Sequence, residues 1–501
     1  MLLVSFFQMP GSVLCKPNVR SKPPSTLTTQ SYKRMGATSQ AVFSELVSDG
    51  TADKALVTLD PEETSVQLWR FTNEKHLPFA LEPVEWDATS SQAKFGARNV
   101  KYEVPRQADL MWHTVAKVQL PGLAGVYKDE SGNTCVLKGY DSPYWHNAIG
   151  QRVLESVTLS VGGIQIVTFD ETYQWIWEEV ASKPGKEMGE VIGKFATIEE
   201  QQAWARRSHT CYTTLPLPNS EDPGNALPLC AMTFHKIFID ASFAPRNKCV
   251  IVPPGVPKGV QICVRPDGVK DADIESGKVV LEPLNDNHLK CLMEATMVYF
   301  EEPERNLFVE NVFEQAIVEV QQVSAQASFH GVAAGENTPP VRVKAECRFA
   351  SMVREYFCVV RQQAKEDANA HYDFGGFVDG VEDDMPWTLD PIKNMTIKFQ
   401  NANRVQSRPA EYYRLVNVRH NHSNGKRAAR NFIYGWSYAQ NPEALQQNGG
   451  ANHSRIDDIS IEAELDARIF SPESPTAEFI VYSRATNLLR FTSGTLLRRF
   501  T

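Results

Sequence analysis

The chain has 501 residues, 42% hydrophobic and 22% charged, which is near the globular norm and fits neither a disordered chain nor a coiled coil. Thirty prolines and 29 glycines are spread without a repeat, which excludes collagen and favours short elements joined by turns. Fifty-one basic against 60 acidic residues give a net charge of −9, the wrong sign for coating nucleic acid, so no direct nucleic-acid binding is expected.

Along the chain, residues 1–44 carry Lys16, Arg20, Lys22, Lys33 and Arg34 but no acidic residue, among many Pro, Ser and Thr. They read as a flexible basic arm, or as upstream sequence if translation begins at Met35, with the folded body starting near Glu45. Val157, Leu159 and Val161 alternate with polar residues before Gly162-Gly163, and Ile164-Gln-Ile166 follows, which predicts a two-residue β-hairpin. Thr197 and Glu200 make a capping-box pattern before a short helix reaching Arg206. Alternation recurs over Val341–Phe349 and Met395–Phe399, each predicting a strand with one wet face. Asn441-Pro442 to Gly449 predicts a short capped helical turn. From Ile459 to Ile469 every odd position is apolar and every even one polar, a period only a strand satisfies. With few helices and no βα alternation, the fold class is all-β, built from antiparallel sandwiches.

Candidate sites weigh little. His420-Asn-His422 would put two imidazoles on one face of a strand, but no carboxylate follows at ligand spacing, so the pair reads as surface histidines near a turn. Acidic pairs at Glu301-Glu302 and Glu382–Asp384 read as solvated loops rather than a glycosidase pair or cation site. The basic run Lys426, Arg427 and Arg430 lacks interleaved aromatics and reads as a solvated loop. Nine scattered cysteines contain no C-x-x-C pair and read as reduced, mostly buried thiols. No nucleophile elbow, Walker loop or H-E-x-x-H occurs, and no catalytic residue, cofactor or metal is predicted. Sequons at Asn394, Asn421 and Asn452 are the candidate glycosylation sites, expected to stay unmodified after cytosolic synthesis.

Seven fragments occur in an order that resembles the major capsid proteins of nucleocytoplasmic large DNA viruses, the iridoviruses, algal viruses and their relatives. They are Pro105-Arg-Gln-Ala-Asp-Leu110; Trp145–Gly150 running into Glu155–Gly163 and Trp175-Ile-Trp177; Asp222–Leu229 with Phe234–Asp240; Tyr299–Arg305; Tyr413-Arg-Leu-Val416; Asn452–Asp457; and Tyr482–Gly494. The resemblance spans about residues 65–495; the segment 181–214 and residues 1–44 match nothing in it. It implies a double jelly roll of two tandem eight-stranded sandwiches at 45–302 and 303–501 after the arm 1–44. It further implies a structural, non-enzymatic homotrimer whose pseudo-hexagonal capsomers tile an icosahedral virion shell. The partners implied are other copies, neighbouring capsomers, minor capsid proteins and the inner membrane layer, with assembly in the host cytoplasm. The rival readings are a minor capsid component of the same fold and a carbohydrate-binding or carbohydrate-active β-sandwich.

Overall fold

The computed structural model describes residues 78–129, 133–253, 256–257, 259–330, 338–376 and 390–500. The expected arm, the start of the body at Glu45 and the acidic run Glu382–Asp384 lie outside them.

In the first half, Phe79–Trp86, Lys290–Phe300, Leu110–Leu120 and His209–Thr214 pair in that order, all antiparallel. A second sheet runs Val100–Glu103, Ile237–Phe243, Leu154–Val161, Ile164–Asp170. Numbering these eight principal strands by chain order, one sheet is 1-8-3-6 and the other 2-7-4-5, the winding of a jelly roll.

The second half repeats it. Phe313–Ser328, Thr476–Thr492, Met352–Gln362 and Tyr434–Ser437 form 1-8-3-6, and Val341–Glu346, Ile459–Leu465, Ile392–Phe399 and Ala402–Pro409 form 2-7-4-5. No described sheet mixes strands from before Phe300 with strands from after Phe313. The fold is a double jelly roll. The longest ladder joins Phe313–Ser328 to Thr476–Phe491 in continuous register. That register is fixed because a one-residue slip would turn Ile317, Phe479, Val481 and the other buried side chains to the wrong face.

The expected hairpin forms, with Gly162 and Gly163 at φ 59° and 85° between Val161 and its partner Ile164. The expected helix forms at Ile198–Ala205, where the Thr197 hydroxyl accepts a hydrogen bond from the Glu200 amide. Three expectations are corrected. The strand from Ile459 stops at Leu465, because the Asp466 carboxylate accepts from the Arg468 amide and turns the chain into a 3-10 turn, Ala467–Ile469. Residues 441–449 form turns and bends pinned by reciprocal Asn441–Asn448 hydrogen bonds rather than a helical turn. The basic run lies on a helix, Gly425–Arg430, not a loop.

The connection between the fifth and sixth principal strands is helical in both halves. In the first it holds the Glu171–Ala181 helix, and in the second the helical segments between Tyr412 and Arg430. These two excursions meet, and the apolar core is continuous from one sandwich to the other.

Candidate functional site

The centre of the molecule is the Glu171–Ala181 helix, which the first sandwich presses into the second. Asp170 caps it, accepting from the Tyr173 amide at 2.8 Å and, on its other oxygen, from the Tyr482 hydroxyl of the second sandwich at 2.6 Å. Nine of its eleven residues are buried. Trp175 stacks on Tyr372 with ring centres 5.2 Å apart and meets Phe374 edge-on, while Tyr173 packs against Tyr482. At the far end, Glu179 accepts from Arg427 and Asn431, and the Val180 carbonyl accepts from the Asn424 amide.

Beside this helix lies a buried ionic cluster. Arg484 is fully buried, with its guanidinium 3.6 Å from the centre of the Trp177 ring. One of its nitrogens contacts both oxygens of Glu221 at 3.0 and 3.1 Å, and another donates to Glu355 at 2.8 Å. Glu355 lies 3.0 Å from His422 Nε2, and Glu443 lies 3.4 Å from its Nδ1. Burial lowers the His422 pKa, but Glu355 and Glu443 outweigh burial and push it up to about 9. Arg354 anchors on the Ala444 and Leu445 carbonyls, so three cations (Arg354, Arg484, His422) stand among three carboxylates (Glu221, Glu355, Glu443). That charge balance is what a dehydrated site demands, since an unpaired buried ion costs several kcal/mol.

A second cluster flanks the helix start. Arg152 donates to Glu171 at 2.7 Å, Glu171 lies 3.2 Å from His371 Nε2, and Nδ1 of the same ring faces Glu366. Burial disfavours the Glu366 carboxylate, but His371 and Arg361 outweigh burial and hold its pKa down to about 2. At the crossing between sandwiches, buried Asp109 accepts from the Phe300 amide at 2.8 Å and from Arg305. These contacts weld two sandwiches, and Trp177, Glu221 and Glu443 also line a cavity of about 450 Å³ beside the cluster.

The residues singled out in the sequence are placed as follows. His420 is exposed at the end of the Val418–Asn421 helix, whereas His422 is buried in the ionic cluster, so the reading of surface histidines near a turn is wrong for His422. No sequence signal carries this, because its partner Glu355 is 67 positions away (422 − 355), on the strand Met352–Gln362. Arg427 is not solvated but pairs with Glu179; Lys426 and Arg430 are exposed. Glu301 and Glu302 are exposed at the start of the Glu302–Glu310 helix. Asn394 donates to Glu464, Asn421 donates to Asn417, and Asn452 is half-buried in a short strand. Of the eight described cysteines six are buried, and burial pushes the thiols of Cys211, Cys249, Cys291 and Cys347 up to about 12. Among the described residues no group of three or more His, Cys, Asp or Glu is arranged to hold a metal.

Comparison with known proteins decides the family. Residues 67–272 match the model of the major capsid protein N-terminus, and residues 304–496 match that of the large eukaryotic DNA virus major capsid protein. The chain belongs to the major capsid proteins of large DNA viruses. Among relatives, the major capsid protein of Phaeocystis pouchetii virus is 21% identical over 90% of this chain and 97% of that one. That of Frog virus 3 is 22% identical over 73% and 75%. The fold is shared with the PBCV-1 virus capsid, at TM-score 0.62 and 15% identity over 87% of this chain and 100% of that one. It is shared too with the Faustovirus major capsid protein, at TM-score 0.60 and 10% identity over 93% and 98%.

Five of the seven fragments that carry the family resemblance in this capsid protein make contacts between the two sandwiches. Asp109 of the first pairs with Arg305 of the crossing, and Trp177 stacks on Arg484 of the last. Asn225 of the proline-flanked loop donates to the Ala316 carbonyl, and the Phe234 amide donates to the Gly494 carbonyl.

Proposed function

We propose that this capsid protein is the major shell subunit, acting without catalysis, and that three copies close into a capsomer of pseudo-hexagonal outline that tiles an icosahedral shell. The observation that carries this reading is the duplicated winding, 1-8-3-6 over 2-7-4-5 in each half. Three chains of two like sandwiches present six like outlines, since 3 × 2 = 6, and head-to-tail contacts close on threefold symmetry. We divide the chain into sandwiches at 45–302 and 303–501, with 1–44 as an arm free to reach minor capsid proteins or the inner membrane layer. The exposed Leu307, Val309 and Val312 around the crossing, with Phe79 and Leu81 on an edge strand, supply apolar surface of the kind that subunit contacts cover. We place synthesis and assembly in the host cytoplasm, where the three sequons are expected to stay unmodified.

Native mass spectrometry tests the reading. A trimer has a mass of 168.3 kDa, from 3 × 56.1 kDa. A soluble monomer of 56.1 kDa at micromolar concentration would overturn it; a trimer found in only a few copies per particle would instead make this the minor component.

A further inference from the structure

A recess in the second sandwich holds charge that nothing in the weld uses. It is a cavity of about 370 Å³ lined by Arg414, Leu415, Arg419, Lys426, Ala429 and Arg430. Four of the six are cationic and none is acidic. Arg414 is spent on the structure, since it donates to Asp390 and to the Ala429 carbonyl. Arg419, Lys426 and Arg430 are exposed and, among the described residues, have no carboxylate within ion-pair distance. In a chain of net charge −9, three such cations around one recess are held together against their own repulsion. The backbone enforces this convergence. Gly425 lets the Gly425–Arg430 helix approach the Val418–Asn421 helix so closely that a Cβ at this position would lie 2.4 Å from the Arg419 Cα.

We propose that Arg419, Lys426 and Arg430 bind a sulfate ester of a sulfated polysaccharide, which gives the capsid protein a ligand-binding function beyond shell building. Three donors from separate positions suit an anion that offers three oxygens, and two of them are planar guanidinium forks. The volume is within the roughly 300–1,000 Å³ of small-molecule sites, room for the ester and the sugar ring that bears it. The half-exposed Leu415 gives the apolar face of that ring a surface to rest on. Nucleic acid fits less well, because no aromatic side chain lines the recess to stack a base. A bilayer fits less well too, because the cations line a concavity rather than a flat face.

The test uses full-length protein in its assembled form and an immobilised, fully sulfated heparin oligosaccharide at physiological ionic strength. Replacing Arg419, Lys426 and Arg430 together with Ser is expected to weaken binding at least about tenfold. The slope of log affinity against log salt should fall by about one per cation removed. A control of equal charge change, with Lys94, Lys128 and Lys290 replaced by Ser, is expected to stay within about twofold. A second measurement needs no variant: the oligosaccharide should protect Lys426 from acetylation in the unmodified protein. Absent heparin binding, an equal loss in the control, or an unprotected Lys426 would overturn the proposal. So would equally tight, patch-dependent binding of poly-glutamate, or of phosphatidylserine vesicles in preference to the saccharide.

Discussion

Arg484 and His422 carry the residue-scale account, since each is a buried cation whose partners lie on different elements. Arg484→Leu strands Glu355 and Glu221 and is expected to cost about 3–5 kcal/mol of stability, read from the denaturant midpoint. His422→Gln keeps the shape but removes the charge. Because the folded pKa of His422 is raised, its stabilisation is fully present below about 6.5 and is lost as pH rises through about 9. The melting-temperature gap between the unmodified protein and His422→Gln should therefore close over that window; a gap independent of pH would mean that His422 is neutral. Glu366 works in the opposite direction. With its pKa depressed to about 2, it stabilises above about 4.5 and stops doing so as pH falls, so Glu366→Gln should flatten the acid limb of the stability profile. None of this was legible in the sequence. His-x-His looked like a metal half-site or a surface pair because both readings use neighbours in the chain, whereas the group that fixes His422 comes from a distant strand.

At the scale of elements, the strands were read from their pattern and the central helix was missed. Period-two alternation marked Val341–Phe349, Met395–Phe399 and Ile459–Ile469, where the strands run Val341–Glu346, Ile392–Phe399 and Ile459–Leu465, because each packs one face on the core and leaves the other wetter. The Glu171–Ala181 helix carries an apolar stripe at i, i+3, i+4 and i+7 (Tyr173, Ile176, Trp177, Val180), a signal that the reading of the sequence passed over, and its acids look like surface residues until their partners are seen. Trp175→Ala removes the stack on Tyr372 and the edge contact with Phe374 and is expected to cost about 3–5 kcal/mol. Because this helix joins the halves, the same variant should split a single unfolding transition into two; one unsplit transition at unchanged midpoint would contradict the weld. The hairpin gives a finer test. Gly162 has φ 59° and a Cβ there would lie 2.6 Å from the His235 ring, whereas Gly163 faces open space at φ 85°. Gly162→Ala should therefore destabilise by more than the roughly 1–2 kcal/mol of left-handed strain that Gly163→Ala carries alone.

For the whole molecule, the duplicated winding makes each chain a building block of two like sandwiches. Its two halves share strand order while differing in added elements: the first carries additional sheets at Gly122–Lys128 with Thr134–Val136 and Gln261–Arg265 and at Tyr144–Trp145 with Val250–Ile251, and the second short added strands at Ala451–Asn452 and Thr495–Arg498. That division of labour was partly legible, since alternation in both halves and the ordered fragments pointed to two sandwiches. The weld between them was not, because ion pairs such as Arg484–Glu221 span 263 positions and leave no local pattern. A rigid pair of sandwiches is what a pseudo-hexagonal capsomer needs, because six outlines keep their spacing only if the two in each chain cannot swing apart. Cryo-electron microscopy of the purified assembled protein tests this most directly. The account predicts a threefold particle with six jelly-roll densities at near-equal spacing and the Glu171–Ala181 helix at the centre of each chain; a particle without threefold symmetry, or chains whose two sandwiches vary in relative orientation, would contradict it.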